Sequence, residues 1–318
     1  MASLTLATIG TILIDNIHHS DVTESHLGGG GLYAAVGARV WIPPETIGLS
    51  TGCSRSSVPQ KFLKELDQFG EEMWIWDEKS KESMLETEIV YGAGTRSFRY
   101  LNPRPLLTVA SLNAQSTRYL HFCCSPEDLS TSLAILSEPR PKIVYEPLPI
   151  NCNPANLVTL KSVLPLIDVF SPNHEELELF LQEGRSSATN GGNIESLVSV
   201  YTEFGSKTIV VRAGARGCFI TNKNPMLGTC TSRWLPPYWT AEEAKVNVRE
   251  TTGAGNSFLG GLCAGMAMAG DDVFIGAAYG SVSASFVVQQ PGLPSLSLGN
   301  EENWNGECPQ QRLKRYFP

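Results

Sequence analysis

Residues 249–261 carry the side chains and backbone best suited to bind an anion. Gly253, Ala254 and Gly255 have almost no side chain, so consecutive backbone N–H groups there can point at one ligand atom. The small-residue pattern that follows predicts a helix, and the positive end of its dipole adds to the attraction for a phosphate group. Asn256 stands at the start of that helix. These four residues are therefore the candidate catalytic set for chemistry on a bound phosphate.

Polar residues occupy the ends of several apolar segments that predict buried strands. Asp15, Glu146, Asn173 with Glu176, and Arg212 each follow such a segment. The alternation of strand and helix patterns predicts a mainly parallel sheet with helices on both faces, and ligands of such sheets bind at the carboxyl ends of the strands. Asn173 and Glu176 also fit a helix N-cap with an acidic first turn, and taken alone this structural role ranks first.

Other segments indicate how these residues are positioned. Residues 4–14 predict one core strand, and residues 16–27 and 83–101 alternate in polarity and predict a small separate β-sheet with a break at residues 92–94. Residues 28–38 are a glycine run entering a small-residue helix, which suits either a flexible loop or close approach of the backbone to a ligand. Residues 273–288 predict a second small-residue helix that packs tightly against the helix after Asn256.

The composition is that of a globular protein and argues against several kinds of partner. The 318 residues are 42% hydrophobic and 18% charged, and the net charge of −8 disfavours binding to nucleic acid or to an anionic membrane. The apolar runs do not fit a signal peptide or a membrane span. The eight cysteines lack metal-like spacing, so we expect reduced core residues of a cytoplasmic protein. We expect the basic residues 312–315 to form a solvated helix face.

The order and spacing of these motifs resemble the ribokinase-like, or PfkB, family of small-molecule kinases. The resemblance covers residues 10–292, and its details are closest to a fungal, maintenance-of-killer-like branch with GAGN in place of GAGD. It implies a single Rossmann-like α/β domain over residues 1–318, with a β-lid formed by about residues 16–27 and 83–101. It also implies ATP with Mg²⁺, a small-molecule substrate, phosphoryl transfer to a hydroxyl group, and a homodimer formed through the lid.

The resemblance also implies roles for individual residues. The implied substrate-binding residues are Asp15, Gly29, Gly30 and Tyr33, and the implied cofactor-binding residues are Asn173, Glu176, Arg212, Gly214, Gly217 and Thr252, with Glu176 also a metal ligand. Gly253, Ala254 and Gly255 match the family's anion hole. Glu250 replaces an Asp that precedes the Thr-Thr pair. The resemblance implies that a carboxylate at this position binds a cation, such as a monovalent ion.

The main departure from the family is Asn256. The family has an Asp there that accepts the hydroxyl proton, and an amide cannot do so because it has no basic lone pair near neutral pH. Loss of a general base costs roughly 10²–10⁴-fold in rate. Three functions stay open: a kinase with a replaced base, for which Asp15 is the nearest candidate; a pseudokinase that binds nucleotide or metabolite; and non-kinase chemistry with Tyr33, Asp15 or Glu250 as acid/base groups. The kinase ranks first.

Overall fold

The computed structural model describes residues 3–19, 22–92, 95–105, 109, 112, 116–182, 193–223, 228–299 and 301–317. In chain order the strands are β1 (Leu4–Ile9), β2 (Leu13–His19), β3 (Val22–Gly28), β4 (Ile47–Ser50), β5 (Trp74–Ile75), β6 (Leu85–Gly92), β7 (Thr95–Tyr100), β8 (Thr117–Cys124), β9 (Lys142–Pro147), β10 (Val169–Phe170), β11 (Thr208–Arg212), β12 (Cys218–Lys223), β13 (Cys230–Leu235), β14 (Leu296–Ser297) and β15 (Asn303–Trp304). The helices are α1 (Gly30–Arg39), α2 (Gln60–Asp67), α3 (Pro126–Ala134), α4 (Leu157–Val163), α5 (His174–Leu179), α6 (Ile194–Glu203), α7 (Ala241–Asn247), α8 (Ala254–Met268), α9 (Val273–Val287) and α10 (Pro309–Tyr316).

The central sheet has nine strands in the order β13-β12-β11-β10-β9-β8-β1-β4-β5. Pairing is parallel from β11 through β5, and β12 and β13 add an antiparallel edge. Hydrophobic clusters lie on both faces of the sheet. The predicted mainly parallel α/β architecture is confirmed. The chain adds strands on one side of β1 and then on the other, so the strand order switches between β1 and β8, where ligands of such sheets bind.

Small residues let three helices pack closely on one face of the sheet. A Cβ atom on Gly37 would lie 2.1 Å from the Ser257 carbonyl oxygen, and one on Gly260 would lie 1.8 Å from the Ala34 carbonyl oxygen. These distances leave no space for a side chain between α1 and α8. On the other side of α8, a Cβ atom on Gly280 of α9 would lie 2.6 Å from the Phe258 carbonyl oxygen. The predicted packing of α9 against α8 is confirmed, and it fixes the N-terminal end of α8 at the carboxyl edge of the sheet.

The prediction of one strand over residues 4–14 is wrong, because the chain leaves the central sheet after β1. A Cβ atom on Gly10 would lie 2.6 Å from the Gly31 backbone nitrogen, and the Thr11 carbonyl accepts hydrogen bonds from the N–H groups of Gly31 and Leu32. The first turn of α1 therefore occupies the place where a continuous strand would run. Beyond this break β2 begins in a different sheet.

The second sheet has four strands in the order β3-β2-β6-β7. Strands β6 and β7 lie within the predicted segment 83–101, whereas β2 and β3 extend beyond the predicted segment 16–27, to Leu13 and Gly28. Residues 20, 21, 93 and 94 lie outside the described residues. The role of this sheet as a lid stays a prediction. Over the described residues, no helix combines the length and the apolar character that crossing a bilayer requires.

Two predictions about individual side chains need correction. Cys230 lies exposed at the start of the edge strand β13, so it is not a core residue, although all eight cysteines are free thiols. Arg312 does not lie on a solvated face: it is 1% exposed. Its guanidinium donates hydrogen bonds to Glu307, Ser285 and Gln289 and lies 3.7 Å from the centre of the Phe286 ring. Burial of this charge is tolerated because each of the three guanidinium nitrogens donates a hydrogen bond to an acceptor.

The C-terminal helix α10 thereby packs against the aromatic residues Tyr238 and Trp239. Arg312 lies 5.5 Å from the ring of Tyr238 and 5.0 Å from the ring of Trp239, and the two rings meet edge to face. The Tyr316 ring stacks on Tyr238 at 5.9 Å between ring centres. The sequence pattern indicates no role for the C-terminal segment. In the structure it packs against, and so supports, the rings of Tyr238 and Trp239.

We predict that Arg312→Ala lowers the free energy of unfolding by about 2–4 kcal/mol, since it removes three hydrogen bonds and leaves a cavity under Phe286. The matched control is Lys314→Ala, on the exposed face of the same helix, which we expect to change stability by less than about 0.5 kcal/mol. Urea denaturation measures both. Equal losses in the two variants would contradict a buried, bonded Arg312.

Candidate active site

A cavity of about 730 Å³ opens at the carboxyl edge of the central sheet. The predicted site residues that line it are Gly30, Asn173, Glu176, Arg212, Gly214, Gly217, Ala254, Gly255 and Asn256. These residues come from separate elements, and the parallel sheet brings them to one place as the strand pattern predicts. Asp15, Gly29, Tyr33, Thr252 and Gly253 do not belong to the lining of this cavity.

The turn before α8 has the backbone geometry of an anion receptor. Gly253 is in the left-handed region at φ 78°, and no side chain caps the N-terminus of α8. The first N–H groups of a helix have no acceptor within the helix; in α8 the Ala254 N–H donates to the Thr251 carbonyl, and the N–H groups of Gly255 and Asn256 are left for a ligand. The backbone angle and the Tyr33 ring, 2.3 Å from a Cβ atom, both favour glycine at position 253; a Cβ atom at Gly255 would lie 2.3 Å from Nη1 of Arg212 and would have to displace the guanidinium.

The residues before the turn hold its shape. Oε1 of Glu250 accepts hydrogen bonds from the N–H groups of Thr251 and Thr252 and from the Thr252 hydroxyl. The Thr252 hydroxyl is therefore committed to a local contact. The Ala254 N–H donates to the Thr251 carbonyl at 3.2 Å, which closes the turn.

Asn256 is bonded to a buried carboxylate that lies at the end of β9. Its Nδ2 donates to Oε1 of Glu146 at 2.6 Å, and Glu146 is 2% exposed. This contact fixes the orientation of the amide, because the opposite orientation would set two acceptor oxygens against each other. Oδ1 of Asn256 is then the amide atom left to accept a hydrogen bond from a ligand.

Glu146 is also the end of a buried polar chain that reaches β1. Nε2 of His121 lies 2.9 Å from Oε1 of Glu146, and Oγ1 of Thr8 lies 2.8 Å from Nδ1 of His121. A hydrogen on Nε2 lets the ring donate to Glu146, and Nδ1 lies against the Thr8 hydroxyl. The chain joins β1, β8 and β9 beneath the cavity.

Arg212 lies between two glutamates. Nη1 is 2.9 Å from Oε2 of Glu146, and Nη2 is 3.4 Å from Oε2 of Glu176 and 2.9 Å from the Ser171 carbonyl oxygen. Burial by itself would raise the pKa of Glu146, but Arg212, with hydrogen bonds from His121 and Asn256, holds it below its ordinary value. For Glu176 burial outweighs Arg212, so its pKa lies above the ordinary value.

Asn173 and Glu176 form the helix cap that the sequence also predicts. The Asn173 side chain accepts from the Glu176 N–H, and Oε2 of Glu176 accepts from the Asn173 N–H, both at 2.8 Å. This reciprocal arrangement is a capping box at the start of α5. The structural role is thus present, and the same two residues also line the cavity.

The hairpin after β11 closes another side of the cavity. Gly214 and Gly217 are both in the left-handed region, at φ 58° and 84°. A Cβ atom on Gly217 would lie 2.0 Å from the Leu235 carbonyl oxygen, so the close approach of β13 also requires glycine there.

The predicted substrate-binding residues lie at the junction of the two sheets. The Asp15 carboxylate, on β2, accepts a hydrogen bond from the Thr87 hydroxyl and lies against Gly28. The Tyr33 ring is 3% exposed, and burial together with nearby carboxylates raises the pKa of its phenol well above the ordinary value. This disfavours Tyr33 as an acid/base group near neutral pH.

Several residues of the site were not identified from the sequence. His121, in the middle of the apolar strand β8, offered one signal, since a polar side chain inside a buried strand needs a partner. Cys123, Tyr238 and Trp239 also line the cavity, and no local pattern singled them out. Their roles depend on contacts that only the folded chain creates.

Comparisons with known proteins agree with this architecture. The model of the pfkB family carbohydrate kinases matches residues 76–298. Protein MAK32 of Saccharomyces cerevisiae is 26% identical over 98% of this chain and 91% of its own length, and an uncharacterised protein of Schizosaccharomyces pombe is 29% identical over 98% and 92%.

A solved structure shows the same fold. It is a putative ribokinase II from Escherichia coli in complex with ATP and Mg²⁺, with a TM-score of 0.65 and 16% identity over 92% of this chain and 94% of that one. The family match spans well over half of the sequence and includes six of the nine strands of the central sheet and the turn at residues 253–255. The chain belongs to the pfkB family of carbohydrate kinases.

Proposed function

We propose that this chain is an ATP-dependent phosphotransferase that acts on a hydroxyl group of a small molecule such as a sugar or nucleoside. The observation that carries the proposal is the uncapped N-terminus of α8, which borders a cavity large enough for a nucleotide and a small substrate. The family and the ATP-bound Escherichia coli structure support a nucleotide as the phosphate donor.

The residues of the cavity suit the two ends of a nucleotide differently. The N–H groups of Gly255 and Asn256 lie in the first turn of α8 and suit the phosphate end, where developing negative charge needs donors, while the Ala254 N–H keeps its bond to the Thr251 carbonyl. Apolar residues suit a base or ring: the cavity is also lined by Tyr238, Trp239, Ala241, Ala244, Val248, Ala284 and Val288. ATP would supply the phosphoryl group, and the protein would supply position and charge.

Asn256 has an orienting role in this proposal. Its Oδ1 accepts the hydrogen bond of the substrate hydroxyl and so directs the hydroxyl oxygen, while its Nδ2 stays on Glu146. When the oxygen forms its bond to phosphorus and the donor's bridging P–O bond breaks, the hydroxyl proton passes to solvent or to a phosphate oxygen. Phosphoryl transfer with a loose transition state tolerates late loss of the proton, so the reaction can proceed without a general base at position 256. Because the rate contribution of that base is lost, we expect slow turnover.

A second function, nucleotide or metabolite binding without transfer, is favoured by one observation. The buried carboxylate next to Asn256 is not available as a general base, because both oxygens of Glu146 have hydrogen-bond or ion-pair partners.

The predicted single domain, the lid function of the second sheet and the homodimer remain part of the proposal. Light scattering in solution measures the oligomeric state.

The proposed function is tested by thermal unfolding with ATP and MgCl₂, followed by a product search with sugars, nucleosides, vitamins and amino-alcohols. A nucleotide that binds only the folded state raises its stability by about 2.7 kcal/mol at a hundred times its Kd. We expect stabilisation and a phosphorylated product from at least one substrate class. Stabilisation without product supports the binding function, and the absence of both overturns the proposal.

We predict that Asn256→Asp alone does not raise ATP turnover. The new carboxylate would face Oε1 of Glu146, so we expect a loss of about 1–3 kcal/mol in unfolding free energy instead. Adding Glu146→Gln removes the repulsion and also the ion pair with Arg212, so we expect the double variant to regain only part of the lost stability and to turn over ATP roughly 10²-fold faster than the unsubstituted protein. A single Asn256→Asp variant with full stability and faster turnover would contradict this.

We predict that Gly255→Ala weakens ATP binding by about tenfold, because its Cβ would displace the Arg212 guanidinium beside the anion-binding turn. Alanine favours helix formation, so a loss of affinity would not come from an unstable α8. Gly299→Ala is the control, since its Cβ has no atom closer than 3.7 Å. Calorimetric titration measures both, and an unchanged Kd for Gly255→Ala would refute the role of this turn.

A further inference from the structure

The guanidinium of Arg212 occupies the space between the two carboxylates of the cavity. Glu146 comes from β9 and Glu176 from α5, and they approach Arg212 through their Oε2 atoms, at 2.9 Å from Nη1 and 3.4 Å from Nη2. The Arg212 side chain is only 13% exposed, and its position is fixed by the Ser171 carbonyl as well. One cation therefore already lies between the acidic groups of this site.

This arrangement does not fit the Mg²⁺ ion that the family implies. Mg²⁺ requires oxygen ligands at about 2.0–2.1 Å and is usually held by one or two carboxylates together with substrate phosphates. Here Oε1 of Glu146 accepts from His121 and Asn256, and Oε2 of Glu176 accepts from the backbone of Asn173. Three of the four oxygens of these carboxylates are thus engaged by described residues, and a divalent cation would have to bind through Oε1 of Glu176.

The balance of charge points the same way. Two carboxylates and one guanidinium carry at most one net negative charge, so little attraction is left for a divalent cation. A cation that reached either carboxylate would also lie beside the positive charge of Arg212. In a buried site such repulsion is only weakly screened.

Arg212 is at the same time a neighbour of the anion-binding turn. A Cβ atom on Gly255 would lie 2.3 Å from its Nη1, so the guanidinium is in contact with the second residue of α8. Its Nε is buried and has no hydrogen-bond partner among the described residues, and the nitrogen that lies beside the turn is Nη1. Arginine is a strong binder of phosphate because its N–H groups can pair with the oxygens of the anion.

We propose that Arg212 takes the place of the divalent cation, and that this chain binds a phosphate-bearing ligand without a divalent metal ion. The identity of that ligand as ATP rests on the proposed function above. The two glutamates fix the position of the guanidinium, and the guanidinium together with the N-terminus of α8 attracts the phosphate.

The first experiment compares ligand affinities of the unsubstituted protein in EDTA and in MgCl₂, using ATP and inorganic tripolyphosphate as probes in calorimetric titrations. We expect the Kd of each probe to agree within about threefold between the two buffers, a difference of less than about 1 kcal/mol. ATP binding that requires MgCl₂ overturns this inference and leaves the proposed function standing. Tripolyphosphate binding in EDTA, with no ATP binding in either buffer, supports this inference and overturns the proposed function. If neither probe binds in EDTA, the inference is wrong.

The second experiment changes Arg212 itself. We expect Arg212→Gln to weaken binding of both probes in EDTA by about tenfold, and to create a site for Mn²⁺ that is detected by electron paramagnetic resonance, since Glu146 and Glu176 are then unpaired. Arg216→Gln is the matched control: it removes an exposed guanidinium from the same hairpin. Equal affinities in the Arg212 and Arg216 variants, or Mn²⁺ bound by the unsubstituted protein, overturn the inference. If Arg212→Gln does not fold, the first experiment decides alone.

Discussion

The buried negative charge of Glu146 is the constraint on which the arrangement of this site depends. A carboxylate that is 2% exposed is tolerated only when its oxygens are paired, and partners come from β8, β11 and α8. His121, Arg212 and Asn256 thus share one partner. The close packing of α1, α8 and α9 positions the N-terminus of α8, and with it Asn256, relative to Glu146. The electrostatic contacts of the cavity therefore depend on the small residues that allow the helices to pack closely.

The same constraint changes the meaning of Asn256. From the sequence it is a missing base; in the folded chain it is the donor that Glu146 requires. Arg212 shows a similar change: the sequence predicts a charge available to a nucleotide, and in the structure much of it is shared with Glu146 and Glu176. Family membership establishes the architecture, whereas these local contacts decide how far the family's chemistry applies.

Local sequence patterns predicted the parts of the site that are local. The turn at residues 253–255 and the cap formed by Asn173 and Glu176 each lie within a few residues, so type and spacing suffice. The Glu146–Asn256 pair joins residues 110 positions apart, and no periodicity reports such a contact. The prediction for Arg312 failed for the opposite reason: charged residues at the end of a chain normally face water, and only a complete set of acceptors reverses that preference.

The packing of α10 has a consequence for the order of folding during synthesis. Arg312 contacts Phe286 and Trp239 and lies beside Tyr238, and both Tyr238 and Trp239 line the cavity. During translation all strands of the central sheet emerge from the ribosome before α10 does. The nascent chain can therefore form its sheet while one wall of the cavity still lacks its support. The wall formed by Tyr238 and Trp239 is thus completed by contacts from a segment that is made after every strand of the sheet.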